Sequence, residues 1–122
     1  MRAPANGVAA AQEDDMIRHG ELIGIRPERL AEYRRNHANV WPDILSMIKA
    51  CNIRNYSIYF KDGLLFAYYE YVGSDYDADM AKMAADPRTQ EWWALMKPMQ
   101  KPLDTRKAGE WWAAMEEVFH VD

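Results

Sequence analysis

The sequence predicts an α+β fold, a small antiparallel sheet with helices packed on one face. Three observations carry that expectation. Strand-like alternation of apolar residues recurs in four stretches, helical spacing recurs between them, and turn or breaker residues separate the two in the order β-α-β-β-α-β. The chain has 122 residues, a length that suits one domain.

Residues 1–16 are small, polar or acidic and carry no apolar period, so they read as a flexible N-terminal extension, with Met16 an alternative start. The apolar run at Val8 is too short for a secretory segment. A single domain is expected over residues 17–122. Residues 19–25 (HGELIGI) alternate weakly, with Ile23 and Ile25 on one face, and predict a first strand. Pro27 then suits the first position of a helix. Leu30, Tyr33, Val40, Trp41, Ile44, Leu45 and Ile48 follow at helical spacing, but Pro42 lies inside the run. Its missing N–H and ring clash predict two helical pieces, about 27–38 and 41–51, joined at 36–40.

Residues 55–60 (NYSIYF) place Tyr56, Ile58 and Phe60 on one face against Ser57 and Tyr59. Asp62-Gly63 is a hairpin turn pair, and 64–72 (LLFAYYEYV) is the returning strand. Ser74, with Asp77 three residues on, predicts a helix N-cap. That helix ends at Asp86-Pro87, and another begins near Arg88 and carries Trp92, Trp93 and Met96 toward Pro98. After a loop, Met115, Glu117, Phe119 and Val121 alternate with Glu116, Val118 and His120, predicting a last strand. The order is that of the split βαβ, or ferredoxin-like, plan. Helices would cover one face of its sheet. The other face, rich in Tyr and Phe, needs a cover, and a second copy of the chain in a homodimer is the expected one.

Composition excludes several functions. Fifteen Lys and Arg against nineteen Asp and Glu give a net charge of −4, and no basic stripe exists to track nucleic acid. No stretch reaches the ~20 apolar residues of a membrane helix. The one cysteine, Cys51, cannot form an internal disulfide or a paired-cysteine metal site; it reads as buried and fits a reducing compartment, so the cytoplasm is the expected location. Gly-rich phosphate loops, nucleophile elbows and His-Glu-x-x-His are missing. Residues 75–79 (DYDAD) resemble the start of a calcium loop, but Met80 stands where that loop needs glycine, so a helix start is the better reading.

Tyr33 and His37 share one helix face, one turn apart. His37 falls near a helix end, where the dipole favours a protonated imidazole. Spacing alone fits an amphipathic helix with a surface histidine better than it fits a catalytic one. Trp92 and Trp93 point about 100° apart, so one can pack in the core while the other borders a cleft. Tyr56 starts the hairpin. Aromatic faces with a polar handle suit the apolar patches of a sugar ring, though core packing would use the same residues. His19 and His120 fall on strands without partners and read as structural or surface groups.

Residues 32–42 (EYRRNHANVWP) are similar to the E-Y-x-x-x-H-x-x-x-W-P pattern of the L-rhamnose mutarotase family. Residues 55–59 (NYSIY), Trp92-Trp93 followed by Met96 and Met99, and 118–120 (VFH) resemble its later blocks, in order across 17–121. The resemblance implies a dimeric α+β barrel of ferredoxin-like subunits that interconverts the α and β anomers of L-rhamnose without metal or organic cofactor. It places His37 at the family's catalytic histidine, and Tyr33, Tyr56, Trp92 and Trp93 at its sugar-contacting positions. One stretch departs: 101–112 (KPLDTRKAGEWW) replaces an Asn-Pro-Asp-Asn loop that shapes the sugar site, which leaves L-fucose as an alternative substrate.

Mutarotation opens a hemiacetal and recloses it, so a proton must leave the anomeric hydroxyl and one must reach the ring oxygen. Imidazole suits both transfers near neutrality. The expectation is His37 as donor to the ring oxygen and Tyr33 or Tyr56 polarising a hydroxyl. The partner base is left open among a tyrosine, Glu70, Glu117 or water. A non-catalytic sugar-binding module and a cofactor-free oxygenase are the alternatives the fold allows.

Overall fold

Prolines and aspartates set where the helices begin. In the computed structural model, which describes residues 16–122, Pro27 opens a 3₁₀ turn that leads into α1 (Leu30–Ala38), and Pro42 is the first residue of α2 (Pro42–Ala50). Pro42 therefore separates two helices, because its fixed φ suits a first turn and not an interior. The Asp75 carboxylate accepts from the Ala78 N–H at 3.1 Å and caps α3 (Tyr76–Ala85). The cap is thus Asp75 and not Ser74; the carboxylate adds a charge that the helix N-terminus favours. Asp86 caps α4 (Pro87–Met96), accepting from both the N–H and the hydroxyl of Thr89 at 2.9 Å. The expected extension at the N-terminus lies outside the described residues, apart from Met16.

The strands are β1 (Ile17–Ile25), β2 (Ile53–Lys61), β3 (Leu64–Tyr71), β4 (Gln100–Lys101) and β5 (Ala113–Met115). All pairings are antiparallel, in the order β2-β3-β1-β4, with β5 beside β4 on the same edge of β1. β2 and β3 are joined at Asp62 (φ 51°) and Gly63 (φ 80°), the two positive φ angles of a type I′ turn. Gly24 is required by close approach: a Cβ there would meet the Lys101 carbonyl oxygen of β4 at 2.7 Å.

Two expectations fail at the C-terminus. β4 has no alternation long enough to announce it. The last strand ends at Met115, and Val118, Phe119 and Val121 are among the most exposed apolar residues, at 88, 80 and 71%. β5 pairs with residues 20–22 of β1, and beyond Met115 the ladder does not continue along residues 17–19, where the chain is held to β1 by the Arg18–Glu117 ion pair instead.

Register sorts the side chains into two faces. Ile23 lies opposite Leu65, Glu21 opposite Ala67 and His19 opposite Tyr69, so these residues share the face that the helices cover. Ile23, Ile25, Leu65, Tyr33, Ile44, Trp92, Met96 and Met99 form the main core there. Gly20, Leu22, Phe66, Tyr68 and Glu70 occupy the opposite face, on which no helix packs among the described residues. The architecture is therefore α+β, an antiparallel sheet with four helices among the described residues.

Candidate functional site

Burying aromatic residues at helical spacing against a curled sheet leaves a hollow between the two layers. A cavity of ≈ 720 Å³ opens there, walled by α1, α2, α3 and α4 on one side and by β1, β2 and β3 on the other. That volume lies within the ~300–1,000 Å³ of small-molecule sites. It gathers all five residues singled out from the sequence: Tyr33, His37, Tyr56, Trp92 and Trp93.

The i, i+4 spacing on α1 does more than align two rings. Tyr33 and His37 stack with centroids 4.2 Å apart, and His37 meets the edge of Trp92 at 5.5 Å. His37 Nδ1 lies 2.9 Å from the Tyr33 carbonyl oxygen. A carbonyl can only accept, so Nδ1 carries the hydrogen and Nε2 presents a lone pair in the neutral ring. Burial lowers the His37 pKa below its ordinary 6.5, opposed by the bond to Tyr33. Desolvation thus favours the neutral ring, against the charged form that a helix end would favour.

Tyr33 is buried, and burial raises its phenol pKa, with the Gln100 bond opposing. Gln100 donates to the Tyr33 hydroxyl at 3.1 Å, and Trp111 donates its indole N–H to Gln100 at 2.8 Å. Because Tyr33 accepts in this chain, its own hydrogen remains available to a ligand. Trp92 is 7% exposed and packs edge-on against Trp41, whereas Trp93 is only partly buried. Both line the cavity, one from the core and one from its border. Lys97 Nζ bridges the ring faces of Trp93 and Trp111, at 5.8 and 5.2 Å.

Tyr56 reaches the cavity because β2 slips register between Arg54 and Ser57, with Asn55 at φ 50°. The residue is 43% exposed along the open cavity, yet desolvation at its hydroxyl, with Glu21, Tyr33 and Tyr76 nearby, raises its pKa. Its ring sits edge-on to Tyr69 at 5.5 Å.

The sequence reading passed over one part of this cavity. Glu21 projects into it from β1 and accepts from the Tyr69 hydroxyl at 3.3 Å; Tyr69 lies 2.5 Å from the Tyr76 hydroxyl. Burial raises the Glu21 pKa; the Tyr69 bond opposes this and Glu110 adds to it. His19 stacks on both Tyr69 and Tyr76, and its Nε2 is buried without a hydrogen-bond partner among the described residues. The signal was present: a glutamate in phase with Ile23 and Ile25 on a core strand. The second Glu-Trp-Trp, at 110–112, likewise marked Trp111 and Trp112, which also line the cavity.

The two carboxylates considered as partner base lie elsewhere. Glu70 is on the opposite sheet face, accepting from Asn55 at 2.6 Å and Tyr68 at 2.7 Å. Glu117 pairs with Arg18 at 2.8 Å, and Arg18 neighbours Glu70 on that same face. Neither lines the cavity. Asp79, from the calcium-like run, accepts from Asn52 and Tyr71 and lies on α3. Cys51 is buried, with Sγ 3.6 Å from the Met47 sulfur, and burial raises its thiol pKa. His120 is exposed beside Asp122. Among the described residues no group of three or more His, Cys, Asp or Glu could hold a metal ion, and no helix is long and apolar enough to cross a membrane.

Comparison with known proteins converges on one family. The family described as L-rhamnose mutarotase matches residues 18–121. An L-rhamnose mutarotase of Oceanobacillus iheyensis is 30% identical over 107 residues, covering 88% of this chain and 100% of the relative. One from Ligilactobacillus salivarius is 33% identical over 112 residues, covering 87% and 98%. The crystal structure of an L-rhamnose mutarotase from Formosa agariphila superposes with a TM-score of 0.67 at 20% identity, covering 87% of this chain and 99% of that one.

Proposed function

We propose that this chain, which belongs to the L-rhamnose mutarotase family, is an isomerase that interconverts the α and β anomers of L-rhamnose by acid/base ring opening and reclosure. The observation that carries the reading is His37: an imidazole with Nδ1 held by the Tyr33 carbonyl and its pKa lowered by burial, lining an aromatic-walled cavity.

The chemistry follows from the tautomer. With its lone pair on Nε2, His37 is the acceptor in the opening step and takes the proton from the anomeric hydroxyl. In reclosure it is the donor and returns that proton to the oxygen on C1. In this reading His37 is not the donor to the ring oxygen that the sequence led us to expect; that proton comes from another group. A positioned acid or base of this kind contributes ~10²–10⁴-fold. Tyr33, whose oxygen accepts from Gln100, donates its hydrogen to a sugar hydroxyl, and Tyr56 offers a second phenol from the sheet side. Trp92 and Trp93 pack on the C6 methyl and the apolar ring face.

The working unit in this reading is a homodimer, a dimeric α+β barrel in the cytoplasm. Two copies facing through their uncovered sheets would bury Tyr59, now 66% exposed, and Met115, 41% exposed, and would give the alternating 116–121 segment a neighbour. A thiol such as Cys51, free and without a partner cysteine, suits a reducing compartment.

Saturation-transfer NMR tests the activity directly. Irradiating the α-anomeric proton of L-rhamnose should attenuate the β signal in the presence of protein and not in its absence, and L-fucose measured alongside gauges the sugar preference. No gain in exchange with either sugar would remove the assignment.

A further inference from the structure

We propose that Glu21 is the proton-transfer partner of His37, giving a proton to the ring oxygen as the imidazole takes one from the anomeric hydroxyl. This rests on the mutarotase reading above and supplies the group that reading leaves unassigned.

Glu21 is a misfit on its strand. Alternation on β1 puts Glu21 on the core face with Ile23 and Ile25, where an apolar residue would normally stand. A carboxylate taken out of water is costly unless a cation or several donors hold it. Glu21 has neither. The groups facing it are the phenols of Tyr56, Tyr69 and Tyr76 and the carboxylate of Glu110, and its one hydrogen bond is the 3.3 Å contact from Tyr69. A purely structural carboxyl would be engaged at both oxygens, as Glu117 is by Arg18. Tyr69 engages only Oε2, which leaves Oε1 without a partner among the described residues, on a side chain that lines the cavity shared with His37.

The surroundings favour the neutral acid. Burial and Glu110 both work against ionisation, opposed by the Tyr69 bond, so Glu21 releases its proton less readily than a carboxyl in water. The two groups are complementary: His37 from the helix layer is a neutral base, and Glu21 from the sheet layer is an acid. In opening, the O1–H bond breaks and its proton goes to His37 Nε2, and the O1 electrons form the C1=O double bond. The C1–O5 bond breaks, and O5 takes the Glu21 proton. Rotation about C1–C2 presents the other aldehyde face. Reclosure returns the O5 proton to Glu21 and the His37 proton to O1, so the cycle consumes nothing. Tyr69, donating to Oε2 with Tyr76 behind it, stabilises the carboxylate that exists between the two halves.

The test uses the whole chain with L-rhamnose, pairing anomeric exchange by NMR with sugar binding by tryptophan fluorescence. Glu21→Gln keeps the shape and an acceptor for Tyr69 but has no acid to give. It should bind L-rhamnose within about threefold of wild type and lose ~10²-fold or more in exchange. Glu21→Ala should lose as much and regain exchange on addition of formate, a small carboxylic acid able to enter the vacated space. Exchange by Glu21→Gln within about threefold of wild type would overturn the proposal while leaving the mutarotase reading intact. So would a loss matched by weakened binding and not rescued by formate, which would make Glu21 a binding residue only. A wild-type protein without exchange activity removes both.

Discussion

Replacing His37 with asparagine separates its chemistry from its packing. An asparagine can still donate to the Tyr33 carbonyl, but it cannot accept a proton at neutral pH. The packing loss is countable. His37 makes a stacked contact with Tyr33 at 4.2 Å and an edge contact with Trp92 at 5.5 Å. Aromatic contacts contribute about 0.5–1.5 kcal/mol each, so the variant should lose about 1–3 kcal/mol of stability. Domains of this kind hold about 5–15 kcal/mol in all. Even about 3 kcal/mol remaining keeps more than about 99% of molecules folded. The catalytic loss is of another size. Removing a general base should lower exchange ~10²–10⁴-fold, a barrier higher by about 2.7–5.4 kcal/mol at 1.36 kcal/mol per decade. Thermal melting by circular dichroism reports the first quantity and NMR anomeric exchange the second. A variant that melts cooperatively, several degrees below wild type, and exchanges within about threefold of it would show that His37 packs the site without working in it.

The two tryptophans should part company in the same pair of measurements. Trp93→Ala, at the cavity border, should weaken L-rhamnose binding about tenfold with little change in melting, whereas Trp92→Ala, at 7% exposure in the core, should cost about 3–5 kcal/mol of stability. The pH profile of exchange follows from His37. Its neutral form is the base and its pKa lies below 6.5, so kcat/KM should hold from neutral into mildly acidic solution and fall only as pH drops through that lowered value. Stability carries the same sign there: the native state binds this proton less tightly than the unfolded chain, so the His37 contribution is complete above pH 6.5 and lost below the folded value. Glu21 acts oppositely, since its raised pKa makes the fold lose stability as pH rises past the ordinary 4.5. Phe119→Asp, in the exposed C-terminal segment, should turn a sedimenting dimer into a monomer; an unchanged sedimentation coefficient would place the interface elsewhere.

Where the sequence was readable, a local rule was strong enough to survive tertiary packing. Asp62-Gly63 made the hairpin turn because both positions need positive φ, and Pro42 divided α1 from α2 because it cannot sit inside a helix. Tyr33 and His37 met because four residues is one helical turn. Where it was not readable, the deciding interaction lay far along the chain. The alternation of 116–121 promised a strand, but the ladder between β5 and β1 stops at the Gly20–Met115 pair. Ser74 and Asp75 both suit a cap, and only the folded helix selects Asp75. Gln100 joins Tyr33 to Trp111 from a two-residue strand that no periodicity announces. Glu70 and Glu117 stayed open as partner bases until register put Glu70, and the Arg18 ion pair put Glu117, on the outer face, because a period of two says that faces alternate and not which face meets the helices.

The same reasoning explains why a helix end can hold a base and not a permanent cation. Near the last turn of α1 the dipole alone would favour imidazolium, and an exposed histidine there would be charged more readily. Here the ring is stacked on Tyr33 and faced by Trp92, which removes the water that would stabilise the charge, and the carbonyl one turn earlier captures Nδ1–H. One spacing thus sets the ring position, the tautomer and the direction of the pKa shift together. The prediction is specific to that carbonyl: 15N chemical shifts of His37 at pH 7 should report the Nδ1–H tautomer as the major species. A dominant Nε2–H form would withdraw the lone pair from the cavity and reverse the order of proton transfer.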